Sequence, residues 1–597
     1  MTEVITNNLD LWTSALRTKS TAGRGSNGKL EAYGIKKLRE LILELAVRGK
    51  LVSQDPNDEP ASVLLEKIAD EKKRLVREGI IKKQQQLPDV TEAEKPFQLP
   101  GSWKWTRLGN VGLGSTGKTP GTGKSEYYGG EIPFVGPGQI TPSGEILASD
   151  KTLTEEGCEF STIANPGDIL MVCIGGSIGK SAITNSKITF NQQINCLRPI
   201  IVSPVLLNYS MGTPLFQTSI MEKATGSATP IINRSKWEEL LVPISPLAEQ
   251  HRIVAKVDEL MALCDQLEHQ QTSNIEAHQT LVETLLGTLT NSPVRPELVE
   301  GCASTSSART EFDENWTRIA DHFDTLFTTE QGIDQLKKNI LQLAVMGKLV
   351  PQDSSDEPAS KLLKKIAAAK ALLFNEGNIR EQKSLADTGN EEIFFQVPDS
   401  WKWVMIDEIC HVQGGIQKQP MRQPKTNHYP YLRVANVQRG YITIDEMSRF
   451  ELYEDELEKW TLRKGDMLVV EGNGSEEEIG RCAIWNGEIE NCVYQNHLIR
   501  VRPYLPKLEV LISKFLNSPS GIEEMKRLAV TTSGLYNLSV GKIRAISIPL
   551  PPIQEQERIV AKVDELMVLC DNLKTRLTDA QTTQIRLADA IVEQAVA

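Results

Sequence analysis

Two hydrophobic periods alternate along the chain. In 249–267 (EQHRIVAKVDELMALCDQL), Ile253, Val257, Leu260, Cys264 and Leu267 fall four, three, four and three residues apart. That spacing is the seam of a coiled-coil helix. A second seam runs through Ile559, Val563, Leu566, Cys570, Leu573, Leu577 and Ala580, is interrupted at Gln584, and resumes at Leu587 and Ile591. Before each seam lie short β-rich runs bounded by Gly, Pro and Asn, among them GDILMVCIGG, KSAITNSKITFNQQINCLRPIIV and GDMLVVEGNG. These predict strands. Pro-flanked strands, LLVPISPLAEQ and ISIPLPPIQEQ, lead into the two seam helices. No run of about 18 apolar residues is present, so no membrane-spanning helix is expected.

The alternation is a duplication. LAVRGKLVSQDPNDEPASVLLEKIA at 45–69 returns as LAVMGKLVPQDSSDEPASKLLKKIA at 343–367, with 19 of 25 residues identical at an offset of 298. GSWKW at 101–105 returns as DSWKW at 399–403, and 249–267 returns at 555–573 with 16 of 19 identical at an offset of 306. A period near 300 residues is too long for a solenoid. Each copy holds a helical lead-in, a middle of about 150 residues and a closing helix. The middles share landmarks such as Pro166-Gly167-Asp168 and Lys464-Gly465-Asp466 but otherwise differ. A fixed frame holding two dissimilar readers is the expectation. The obvious partner for each seam is its twin, giving an antiparallel pair with a pseudo-two-fold; the alternative is packing on its own domain. A closing helix of about 40 residues would be about 60 Å long.

The expected α+β organisation runs as follows: a flexible tail over 1–30, a lead-in over 31–98, a first middle over 99–246 and a central closing helix over 247–290. A linker then spans 291–312, followed by a second lead-in over 313–396, a second middle over 397–552 and a C-terminal helix over 553–597.

Charge changes the picture only when resolved along the 597 residues. The net charge of −12 argues at first against a nucleic-acid partner. The middles are nevertheless balanced, with 11 basic against 11 acidic residues over 99–245 and 19 against 20 over 397–550. The acidity belongs to the frame. Balanced domains can bind DNA with cations gathered on one face, but a basic partner must supply most of the phosphate attraction. The nine cysteines show no Cys-x-x-Cys pair and no zinc spacing. We therefore expect no metal, a reducing cytoplasm, and core roles for Cys264 and Cys570. The N-terminal sequence MTEVITNNLDLW has no basic start followed by an apolar stretch, so no secretory signal is read.

Gly112 to Thr119 (GLGSTGKT) fits the phosphate-loop pattern to the letter. Such a loop must open a helix, and Pro120-Gly121-Thr122-Gly123 opens one poorly. The second copy also has Gly415-Ile416-Gln417 where the first has Gly117-Lys118-Thr119. A nucleotide hydrolase using 112–119 is thus an alternative, and a Gly/Lys/Thr loop touching a DNA backbone is preferred. Residues suited to DNA in the first middle are Lys118, Thr119, Lys124, Ser177, Lys180, Asn191, Gln192, Gln193, Thr225, Ser227 and Arg234. In the second they are Lys418, Arg433, Asn436, Gln438, Arg439, Asn473, Arg481, Gln495 and Asn496. Arg pairs with guanine, and Asn or Gln with adenine, through two hydrogen bonds in the major groove. No nucleophile elbow, His-Glu-x-x-His or adenine-methyltransferase motif occurs, so no catalytic residues are expected. A scaffold without DNA contact is the remaining alternative.

The GKLVxQDxxDEPASxLLxKIA blocks, the SWKW motifs and the (V/I)PxxPxxEQxRIVAKVDELMxLCDxL exits resemble the DNA-specificity (S) subunit of type I restriction–modification systems. The likeness covers nearly the whole chain and is strongest to the longer subunits with a helical lead-in. It implies two α/β target-recognition domains, separated and linked by long antiparallel coiled-coil helices. Each would read half of an asymmetric bipartite site in double-stranded DNA, with the helices setting the gap. It also implies no catalysis by this chain. Two modification subunits would bind S-adenosylmethionine and methylate adenine; restriction/motor subunits would use ATP and magnesium to cleave.

Overall fold

A computed structural model describes residues 2–18, 30–226, 229–290, 314–377, 379, 395–417, 419, 422–453, 456–473, 478–532 and 535–596. They form two compact units. One holds 2–18, 30–273 and 581–596; the other holds 274–580. Six frame helices are α1 (Tyr33–Val47), α2 (Ala61–Arg77), α3 (Leu247–Thr290), α4 (Glu330–Val345), α5 (Ala359–Asn375) and α6 (Ile553–Val596). The division falls inside α3 and α6, so each unit contains the start of one long helix and the end of the other.

In the first unit α1 buries Ile35, Leu38, Leu41, Ile42 and Leu45, a stripe at helical spacing, in one cluster with Ile253, Val257, Leu260 and Cys264 of α3 and Ala588 and Ala595 of α6. In the second unit α4 buries Ile333, Leu336, Ile340 and Leu343 with Val282, Leu286 and Leu289 of α3 and Ile559, Val563 and Cys570 of α6. The two seams thus belong to separate cores. The seam of each copy shares its core with its own lead-in helix, and the last turns of the other long helix complete it. Leu267, Leu566 and Leu573 sit partly buried at the margins of these cores. The expected resumption at Leu587 is corrected, because Leu587 is exposed while Ala588, Ile591 and Ala595 turn inward. From Gln584 these positions continue four, three and four apart, so the stripe passes through the glutamine.

Residues 2–18 are not a flexible tail. Two short helices, Thr2–Thr6 and Leu9–Ser14, bury Ile5 and Trp12 in the first core. The Trp12 indole donates to the Ile5 carbonyl at 3.2 Å, and Gly34 N donates to the Ala15 carbonyl at 2.9 Å.

Both globular domains share one plan. In the first, Gly112–Thr116, Ile194–Pro199, Ile169–Val172 and Ser181–Ile183 form an antiparallel sheet in that order. In the second the order is Cys410–Gly414, Leu498–Pro503, Met467–Val470 and Cys482–Ile484. One face of each sheet packs on small helices and on the lead-in: Ala61, Leu64 and Ile68 of α2 join the first core, and Ala359, Leu362 and Ile366 of α5 join the second. A further sheet covers the other face, four-stranded around Tyr128–Val135 in the first domain and three-stranded around His428–Leu432 in the second. Asp168 pairs with Arg198 at 2.8 Å, and Asp466 with Arg502 at 2.6 Å, in the two copies alike.

Each domain joins its helix through the same polar junction. Trp103 Nε1 donates to Glu249 at 2.9 Å, and Gln54 Nε2 donates to the other carboxylate oxygen at 2.6 Å. Trp401 donates to Glu555 at 2.9 Å, and Gln352 also donates to it. Arg252 holds Asp58 and Arg558 holds Asp356, both at 2.6 Å. Gly49 and Gly347 adopt φ of 66° and 70° with Pro100 and Pro398 pressed against them, where a side chain would clash.

Candidate nucleic-acid interface

The main sheet of the first domain ends in one row: Thr116, Ile194, Val172 and Ser181 lie at the same edge by strand register. Four loops leave this edge or dock on it. The first carries Gly117 to Lys124, the second runs from Cys173 to Lys180, and the third is the Asn191–Gln193 turn. A fourth, from Thr225, bridges through Ile231 to Ile174. The fold therefore gathers Lys118, Thr119, Ser177, Lys180, Asn191, Gln192, Gln193 and Thr225 along one rim. Arg234 opens a short helix nearby, with its guanidinium 3.5 Å from the Gly114 carbonyl and 3.4 Å from Glu238.

Lys118, Thr119, Lys124, Gln192, Thr225 and Arg234 are exposed, and Ser177, Lys180, Asn191 and Gln193 are half-buried. Lys124 donates to the Tyr127 hydroxyl at 2.8 Å and lies over its ring, which stacks on Phe160 at 4.7 Å. Phe160 is itself 50% exposed. This aromatic pair beside a cation was missed from sequence, although Lys124 three residues before the pair Tyr127-Tyr128 signals it. Asn191 serves its own turn: its Oδ1 accepts from Gln193 N at 3.0 Å and its Nδ2 donates to Gln193 Oε1 at 3.2 Å.

The phosphate-loop likeness is dissolved by the fold. Gly112–Thr116 is a sheet strand, Gly117 N donates to the Ile194 carbonyl and Lys118 N to the Phe190 carbonyl. No helix begins after Thr119; the next element is the single 3₁₀ turn Ser125–Tyr127. Backbone groups that would cradle a phosphate are therefore engaged within the sheet.

The second domain repeats the edge at Gly414, Leu498, Val470 and Cys482, but uses its polar residues differently. Asn436 is buried, accepts from Arg433 N at 2.9 Å and donates to the Thr443 carbonyl at 3.0 Å, so it caps a turn and presents no free edge. Gln438 donates to the Ala435 carbonyl and accepts from Arg481 at 2.9 Å. Arg439 donates to Ile479 and Asn517, and burial lowers its pKa. This cluster folds its own loop. Gln495 and Asn496 are half-buried at the rim, next to His497, whose ring lies 3.2 Å from Glu471. Tyr441, 61% exposed and two residues after Arg439 in the chain, was missed from sequence. Ser227 and Lys418 lie outside the described residues, as does the side chain of Asn473, whose backbone joins the strand Gly472–Asn473.

The cysteines among the described residues are buried, and burial pushes the thiols of Cys173, Cys196, Cys482 and Cys492 up to about 12. Among the described residues no cluster of His, Cys, Asp and Glu is arranged to hold a metal, and no helix is long and apolar enough to cross a membrane.

Two dissimilar rims on a duplicated helical frame define a two-reader recognition protein. The family model for the type I restriction modification DNA specificity domain matches twice, at 100–277 and 398–581. The chain is 38% identical to the type I restriction enzyme EcoAI specificity subunit of Escherichia coli over 612 aligned residues, covering 100% of this chain and 99% of that one. It is 36% identical to the EcoEI specificity subunit of the same organism, again over 100% and 99%. A structure solved in work on assembly and conformational transition of the type I R-M system is similar at 17% identity and a TM-score of 0.47, over 84% of this chain and 99% of that one. The chain belongs to the type I restriction–modification DNA-specificity family.

Proposed function

We propose that this chain is the sequence-reading, non-catalytic subunit of a type I restriction–modification complex. Each globular domain reads one half of an asymmetric bipartite site in duplex DNA. Two modification subunits, binding S-adenosylmethionine, methylate adenine where this chain directs them, and restriction/motor subunits cleave unmodified DNA with ATP and magnesium. The complex works in the cytoplasm.

One observation carries this reading: the two domains hold the same loops at the same sheet edge but display different side chains there. Exposed Lys118 and Thr119 correspond to Ile416, which is buried in its own domain, and exposed Gln417, and Asn191-Gln192-Gln193 correspond to Gln495-Asn496-His497. A symmetric target would need matching rims; unlike rims suit unlike half-sites. The charge distribution supports dependence on partners, because balanced readers lack the cations for tight phosphate binding on their own.

Adenine methylation mapped across the genome of the source cell, with and without this gene, tests the assignment. The expected result is loss of one motif made of two unlike halves separated by a fixed gap. Unchanged methylation in a cell that retains the partner subunits overturns it.

A further inference from the structure

The turns 190–194 and 494–498 are one structural device used twice. Asn191 N donates to Val135 and Gln495 N to Leu432, at 3.1 and 3.0 Å. Ile194 N closes the turn on Asn191 at 3.2 Å, and Leu498 N on Gln495 at 2.9 Å. Gly117 and Lys118 clasp the first turn through Ile194 and Phe190; Gly415 and Ile416 clasp the second through Leu498 and Tyr494. Cys173 N and Glu471 N reach the carbonyls of Gln193 and His497. A Cβ on Gly117 would lie 2.0 Å from the Asn191 carbonyl oxygen, and one on Gly415 would lie 2.1 Å from that of Gln495. Each glycine therefore allows the strand to cross directly over the turn.

This clasp puts Gln192 and Asn496 at the same place on each rim. Both carry a carboxamide, although the side chains around them differ. Gln192 is exposed, and Thr119 Oγ1 donates to its Oε1 at 2.6 Å, which orients the amide and leaves both Nε2 hydrogens free. The oxygen keeps a second lone pair. A carboxamide with one acceptor and one donor available matches the N6 donor and N7 acceptor of adenine in the major groove.

We propose that Gln192 and Asn496 are paired specificity-determining residues, each reading an adenine edge in its own half-site. This rests on the proposed function and adds a residue and a base to it. The experiment uses the full chain assembled with its modification subunits, with methylation of randomised duplexes read by sequencing. Gln192→Ala is expected to relax adenine preference at one position of one half-site by roughly tenfold to a hundredfold. Gln192→Arg is expected to shift that position toward guanine, and Asn496→Ala to relax one position of the other half-site. Thr119→Ala should weaken the Gln192 position alone, by less than Gln192→Ala does. If Gln192→Ala leaves every base preference unchanged while the motif is still methylated, this assignment falls and the proposed function stands. If the unaltered complex methylates no defined motif, the proposed function falls with it.

Discussion

The junctions of the two copies are nearly interchangeable, whereas the sheet faces a few residues away are not. Trp103–Glu249 and Trp401–Glu555 have the same 2.9 Å hydrogen bond, and Arg252–Asp58 and Arg558–Asp356 the same 2.6 Å ion pair. On the sheets, Cys196 faces Ser115 in the first domain, while Arg500 faces Gln413 in the second. Cys196 packs in an apolar core; Arg500, only 3% exposed, donates to Gln413 at 2.6 Å and lies 5.8 Å from the Tyr494 ring centre. The junction is constrained by three chain segments meeting at one buried carboxylate, so any change costs several contacts together. The interior of a reader answers only to its own packing, so it accommodates a thiol in one copy and a guanidinium in the other.

The sharpest way to break this comparison is to exchange a reader. Replacing 110–245 with the corresponding region of a relative, while keeping both junctions, should change one half of the methylated motif and leave the other intact. A change in both halves, read by methylation mapping, would mean that the readers are not independent. Next in size are Trp103→Ala and Trp401→Ala. Both indoles are buried, so each truncation should cost about 3–5 kcal/mol from the lost burial and the cavity together. The duplication demands that the two losses agree within about 1 kcal/mol, a spread set by context. Denaturant midpoints of the two variants measure this, and a large inequality would show that the junctions are equivalent in geometry only.

A smaller effect separates the readers. Gln413→Ala removes the best acceptor of a buried guanidinium and should destabilise the second domain by about 1–3 kcal/mol. Ser115→Ala, at the matching position, should stay within about 0.5 kcal/mol. Amide hydrogen exchange of strands Leu498–Pro503 and Ile194–Pro199 reports each domain separately.

What the sequence disclosed follows the same division. The repeat and the apolar stripe from Ile253 to Cys264 were legible because near-identity and helical period are local signals. Trp12 falls in the expected flexible tail over 1–30 because the Gly- and Ser-containing run KSTAGRGSNGK follows it, and only the fold shows two short helices docking against Gly34. Asn436 and Asn496 look alike in sequence, both polar and both near strand ends. One is buried by loop carbonyls at Thr443 and Glu446, and the other stands on a clasped turn. Burial set by distant residues is what separates a capping amide from a displayed one. The phosphate-loop pattern failed for a related reason: Gly117 is needed for close crossing over Asn191, a demand that leaves the same glycine signature.

The smallest effect is a dependence on pH, and its sign discriminates between two forces at the junction. Burial raises the pKa of Glu249 above its ordinary 4.5, opposed by the hydrogen bonds from Trp103 and Gln54. Glu555 is raised for the same reasons, opposed by Trp401 and Gln352. A carboxyl whose folded value exceeds its unfolded value binds more protons when folded. Stability therefore falls as pH rises from the unfolded value through the folded one, and is level above it. Glu249→Gln lacks this titration but keeps an oxygen to accept from Trp103. The stability of the native chain minus that of Glu249→Gln should decrease across that window, and Glu555→Gln should give a curve of the same sign. Urea unfolding at a series of pH values above 4.5 provides the measurement. A difference that grows with pH would mean that the two donors at each junction outweigh burial, making the carboxylate a stabilising anchor instead of a cost retained for geometry.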